Sequence, residues 1–310
     1  MAAVKTLVVC LVLIVAWSDA VHLFSPFRHG RNIAVEKVVE EEANFQLPRH
    51  SFPAPRLNAA ANATYNFAVD ITANGSASTF QCLYKQGYSA VFIQAYSRDY
   101  GGSLNPNLIQ NLNNAGAANL GSELYVTLTT EKEGQPQFDA VYNKLKASGI
   151  NLRSIWLQVT SPLKWNTNVN TNLHRIQNFI NRGYATGVTV GIYTNWYDWQ
   201  QITGSAFSDL RLWYWSATPG QFSLPYYQFL AISFTSRRID GPGSNAESAA
   251  NFDDFRQFSS FLKPAVKQFG INENLCGMTL NRDVYPAASK SVAAEETNNV
   301  DRKLNVGGFV

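Results

Sequence analysis

A chain of 310 residues with 45% hydrophobic and 13% aromatic content can bury one sizeable core, and its size suits a single barrel domain better than a set of small modules. The formal net charge is +3, with lysines and arginines scattered and no basic run, which argues against nucleic acid or an acidic membrane surface as partner. Beyond residue 61 the one histidine is His174, on an expected helix, so a Ser-His-Asp site or a His-rich zinc site does not fit, and no metal or other cofactor is expected.

Residues 1–20 place Lys5 ahead of an apolar run ending at Trp17, followed by Ser18-Asp19-Ala20, the layout of a cleavable secretory signal. That run is short for a bilayer span, so a secreted, extracellular protein with no membrane attachment after cleavage is expected. Cleavage removes Cys10 and leaves Cys82 and Cys276 as the possible pair, which an oxidising compartment is expected to join. The sequons at Asn62 and Asn74 fit a glycoprotein surface. Residues 21–61, with Pro26, Pro48, Pro53, Pro55 and the acidic patch Glu40-Glu41-Glu42, read as a flexible extension or propeptide.

The domain proper is expected over residues 62–286. Tyr65-Asn66-Phe67-Ala68-Val69-Asp70-Ile71 alternates as a first strand and sets Asp70 on the face of Asn66 and Ala68. A helix over 76–86 is stopped by Gly87. A second strand over 91–96, a helix over 105–120, a third strand over 123–129 and a helix over 135–148 follow. This β-α-β-α-β order predicts a parallel sheet covered by helices. In the fourth strand, from Ser154, the residues Ile155, Leu157 and Val159 point one way and Trp156, Gln158 and Thr160 the other, and Pro162 ends it. The apolar set is expected to meet helices, which turns Trp156, Gln158 and Thr160 toward a barrel mouth, where a functional site is expected. A helix over 168–182, a fifth strand over 189–195 and less regular strands over 210–216, 227–234 and 276–283 complete the domain. The tail 287–310 reads as disordered.

Several stretches now converge on one family: the Asp70 strand followed by Ser78-Thr79-Phe80-Gln81-Cys82-Leu83, the Ile155-Trp156-Leu157 approach to the fourth strand's end, Gly191-Ile192-Tyr193-Thr194-Asn195, Asn251-Phe252-Asp253-Asp254-Phe255, and Asn281-Arg282-Asp283-Val284-Tyr285. Over residues 65–285 the chain resembles the secreted, nematode-type lysozymes like glycoside hydrolase family 25. The resemblance implies an α/β fold, a modified TIM-type barrel with a regular βα first half and helix-poor last strands. It also implies a carboxylate at Asp70 and another at Asp283, with Asp254 as a weaker candidate. The family's fourth strand ends in Asp-x-Glu, and here those positions hold Gln158 and Thr160, neither of which releases a proton near neutral pH.

Glycoside hydrolysis requires a group that protonates the leaving oxygen, and usually a second carboxylate. With both fourth-strand acids missing, the expectation is a monomeric pseudoenzyme of innate defence that binds peptidoglycan or a related amino-sugar glycan with lost or weak muramidase activity. Trp156, Tyr193 and Tyr214 are the expected cleft aromatics, Trp165 a rim residue, and Trp213 and Trp215 core. Two alternatives stand beside this: an active lysozyme using Asp70 and another carboxylate, and a non-catalytic protein-interaction scaffold.

Overall fold

The computed structural model describes residues 52–54, 57, 64–216, 247–287 and 304–309. The expected signal segment, most of the extension, Asn62 and the strand expected over 227–234 lie outside the described residues. Eight strands close into a barrel: β1 (Tyr65–Ile71), β2 (Tyr88–Ser97), β3 (Gly121–Thr127), β4 (Ser154–Gln158), β5 (Thr189–Thr194), β6 (Leu212–Trp215), β7 (Pro264–Leu275) and β8 (Met278–Pro286). Neighbours are parallel from β1 through β7, while β8 runs antiparallel to both β7 and β1 and closes the ring.

Helices α1 (Ala77–Lys85), α2 (Leu108–Ala117), α3 (Gly134–Ala147), α4 (Val169–Ala185) and α5 (Trp196–Thr203) follow the first five strands in turn. Among the described residues no helix follows β6, the helix-poor second half expected from the family, and no helix is long and apolar enough to cross a membrane. α5, which carries no long apolar stripe, and β7 were not expected as elements. Met278, not Cys276, begins β8. Cys276 and Gly277, with φ of 53° and 76°, form the tight turn between β7 and β8, and both central residues of such a hairpin need positive φ. Cys276 is bonded to Cys82 of α1, with Cα atoms 5.8 Å apart.

Strand alternation splits the core in two. Phe67, Val69, Val91, Ile93, Ile155, Leu157, Val190 and Ile192 face outward onto the helices. There they meet Phe80 and Leu83 of α1, Phe138, Val141 and Leu145 of α3, and Ile176, Phe179 and Ile180 of α4. The α3–α4 contact is close: a Cβ on Gly134 would lie 2.2 Å from the Arg175 carbonyl oxygen, so only glycine fits there. Inside the barrel Phe92, Tyr125, Trp156, Tyr193, Trp213 and Tyr285 pack together, and small Ala68 and Ala90 make room for them.

Two terminal readings need correction. Residues Phe52–Pro53, expected as part of a flexible extension, add a short parallel strand to the edge of β7. Leu304–Phe309, expected as disordered tail, pack under the barrel: Asn305–Val306 pairs with Asn151–Leu152, and the Phe309 ring lies against Phe92 and Tyr285 with centroids 5.6 and 4.4 Å away. Apolar burial of Val306 and Phe309 outweighs the polar, glycine-containing composition that suggested disorder.

Candidate functional site

A parallel barrel brings the C-terminal ends of its strands to one face, and inward-pointing residues there meet whatever enters the mouth. Asp70, Gln94, Thr127, Gln158, Tyr193 and Gln268 all occupy this level and all are buried. The fourth-strand parity holds: Trp156 belongs to the barrel interior, while Ile155, Leu157 and Val159 belong to the outer core.

The polar residues form two bonded arcs. In the first, Gln94 Nε2 donates to Thr127 Oγ1 at 2.9 Å, Thr127 Oγ1 donates to Gln158 Oε1, and Gln158 Nε2 donates to Thr160 Oγ1 at 3.0 Å. The second surrounds Asp70, whose Oδ2 accepts from Gln268 Nε2 at 2.5 Å and whose Oδ1 accepts from Asn281 Nδ2 at 2.9 Å. Gln268 is held in turn by Tyr193, whose hydroxyl donates to Gln268 Oε1 at 3.0 Å.

Asp283 sits one layer deeper and fully buried, opposite Ala68 across the β8–β1 pair, where its Oδ1 accepts from Trp213 Nε1 at 2.9 Å. Burial, and then the neighbouring charge of Asp70, push its carboxyl well above the usual range. Asp70 and Asp283 are therefore electrostatic neighbours.

The expected cleft aromatics are placed differently. Trp156 lies wholly inside the packed barrel, its Nε1 donating at 3.0 Å to Glu123, so its ring offers no face to a sugar. Tyr193 is also buried, stacked on Trp213 with centroids 4.0 Å apart, and forms floor rather than wall. Tyr214 points away from the barrel axis into the outer core, as alternation with inward Trp213 requires, and its hydroxyl donates to Asp254 at 2.7 Å. Asp254 thus stands outside the barrel, and Asp283 is the last-strand carboxylate. Trp165 is buried in the outer core and donates to the Thr160 carbonyl at 2.9 Å, so it is no open rim residue. Asn74 is exposed in the loop after β1.

Gln94, Thr127, Gln268 and Asn281 escaped the sequence reading. Their signal is parity: Gln94 shares a face with Phe92, Thr127 with Tyr125, and Gln268 with Val266, all inward residues.

A family model described as lysozyme-like protein 1 matches residues 61–226. Lysozyme-like protein 7 of Caenorhabditis elegans is 39% identical over 289 residues, 91% of this chain and 92% of the relative. Probable GH family 25 lysozyme 4 of Dictyostelium discoideum is 24% identical, covering 70% of this chain and 89% of its own. Among solved structures, the spore cortex lytic enzyme SleM of Clostridium perfringens is similar in fold, with a TM-score of 0.50, 12% identity, and coverage of 72% of this chain and 67% of that one.

Proposed function

Because the chain belongs to the lysozyme-like family of the glycoside hydrolase 25 type, we propose that it is a secreted defence protein that holds peptidoglycan or a related amino-sugar glycan at the barrel mouth and has little or no muramidase activity. The observation that carries this reading is the pair of fourth-strand positions, where Gln158 and Thr160 are buried at the barrel mouth and tied into a chain of amide and hydroxyl groups. Such groups donate and accept hydrogen bonds, as sugar hydroxyls and acetamido groups require, but they deliver no proton to a leaving oxygen. Loss of a general acid by itself removes on the order of a hundred- to ten-thousandfold in rate.

The hydrogen-bonded surroundings of Asp70 fit a binding role as well. Asn281 and Gln268 hold Asp70, and Tyr193 holds Gln268, so this arc presents a polar, hydrogen-bonded surface at the mouth.

Two measurements on the purified protein test the reading. Incubated with insoluble peptidoglycan, it is expected to sediment with the wall; added to a suspension of bacterial walls, it is expected to leave turbidity at the buffer rate. Clearing of the suspension that Asp70→Asn abolishes would establish an active lysozyme instead.

A further inference from the structure

We propose that the hollow on the outer side of β6 is a second sugar subsite, taking one pyranose ring of an amino-sugar glycan whose chain continues into the barrel mouth. The inference rests on the glycan-binding reading above. The hollow lies at the same end of the barrel as Asp70, has a volume of about 190 Å³, and is walled by Trp196 at the start of α5, Trp215 and Ser216 at the end of β6, and Asp254 and Arg256 in the stretch before β7. That volume is below the roughly 300 Å³ at which pockets for drug-sized ligands begin, so it suits one ring and not a long segment.

Its walls carry the two kinds of group that recognise a sugar. Trp196 is 57% exposed, and a free indole face of this kind packs against the C–H face of a pyranose. Trp215 is held by its Nε1 bond to Asp198 at 3.1 Å and also packs on the barrel interior, so one fixed ring joins hollow and mouth. Opposite them Asp254 is fixed by Tyr214 Oη at 2.7 Å, Ser216 Oγ at 2.7 Å and Lys267 Nζ at 2.8 Å. A carboxylate has about four acceptor positions, and these three donors leave one for a ligand hydroxyl. Lys267 is wholly buried, which is rare for lysine, and its remaining bonds go to the carbonyls of Ala249 and Asn251. It thereby anchors the stretch that presents Asp254. Arg256 donates through one nitrogen to the Asp253 and Phe255 carbonyls and has further N–H groups to offer.

Depletion isotherms on insoluble peptidoglycan, run with the full-length protein and with Trp196→Ala, Arg256→Ala and Phe207→Ala, test the assignment. Phe207 is 82% exposed but outside the hollow, and serves as the control for generic stickiness. We expect Trp196→Ala and Arg256→Ala each to weaken binding about tenfold, the effect of losing a well-placed contact worth about 1.4 kcal/mol, with Phe207→Ala unchanged. Equal retention of all four proteins, or equal weakening by Phe207→Ala, overturns the subsite and leaves glycan binding at the mouth standing. No retention of the unmodified protein removes both.

Discussion

Among the described residues, three carboxyls are shifted upward by burial: Glu123 to about 8, Glu273 to about 8, and Asp283 well above its ordinary value. The cause differs in detail. Glu123 faces burial first, opposed by N–H donors from Phe309, Trp156 and Gly308, whereas Asp283 faces burial and then the charge of Asp70. The sign of the consequence is the same for all. A carboxyl that titrates near 4.5 in the unfolded chain and near 8 in the fold takes up a proton on folding throughout that interval, so its contribution is complete below pH 4.5 and disappears as pH rises to 8. The urea midpoint is accordingly expected to fall between pH 5 and pH 8, and Glu123→Gln is expected to flatten that fall; an unchanged slope would show that Glu123 titrates normally. None of this is visible in the sequence. Glu123 was read there only as the first residue of a strand, and its environment is made by Trp156 and Phe309, 33 and 186 residues away along the chain.

At the level of elements, alternation and helical stripes made the first half legible. β1 to β5 and α1 to α4 bury the residues that periodicity selects, because each strand there has one face on helices and one in the barrel. β7 was hidden because its sequence carries Lys267, Gln268 and Glu273, all buried in the fold through partners that other elements supply. The C-terminal segment was hidden for a related reason. Its anchor is Phe309, whose main-chain N–H donates to Glu123 at 3.1 Å and whose carbonyl accepts from Arg211 at 2.7 Å. Gly307 follows the same logic, since a Cβ there would lie 2.5 Å from Ser154 main-chain atoms. Phe309→Ala is expected to cost about 3–5 kcal/mol, the usual range for truncating a buried phenylalanine. Thermal unfolding would register it as a clear drop in Tm; an unaltered Tm would mean that the segment does not close the barrel floor.

For the molecule as a whole, the Cys82–Cys276 bridge ties the first helix to the last hairpin across 194 residues. In the chain-entropy model a loop of this size is worth about 5 kcal/mol, an upper figure because residual structure in the unfolded chain reduces it. Replacing both cysteines by serine is expected to lower Tm and to abolish the protein's sensitivity to reductant; equal melting with and without reductant in the unmodified protein would contradict the bridge. The sequence by itself determined the family, the barrel class, the inward parity of Gln158 and Thr160, and the cysteine pair, because these follow from local periodicity, motif order and counting. The tertiary structure alone decided that Asp283 lies buried within the electrostatic reach of Asp70, that Trp156, Tyr193 and Trp165 are packed rather than open, and that Tyr214 faces outward. Those outcomes depend on which strands neighbour one another and how deep each residue lies, and closing a sheet into a ring fixes both at once.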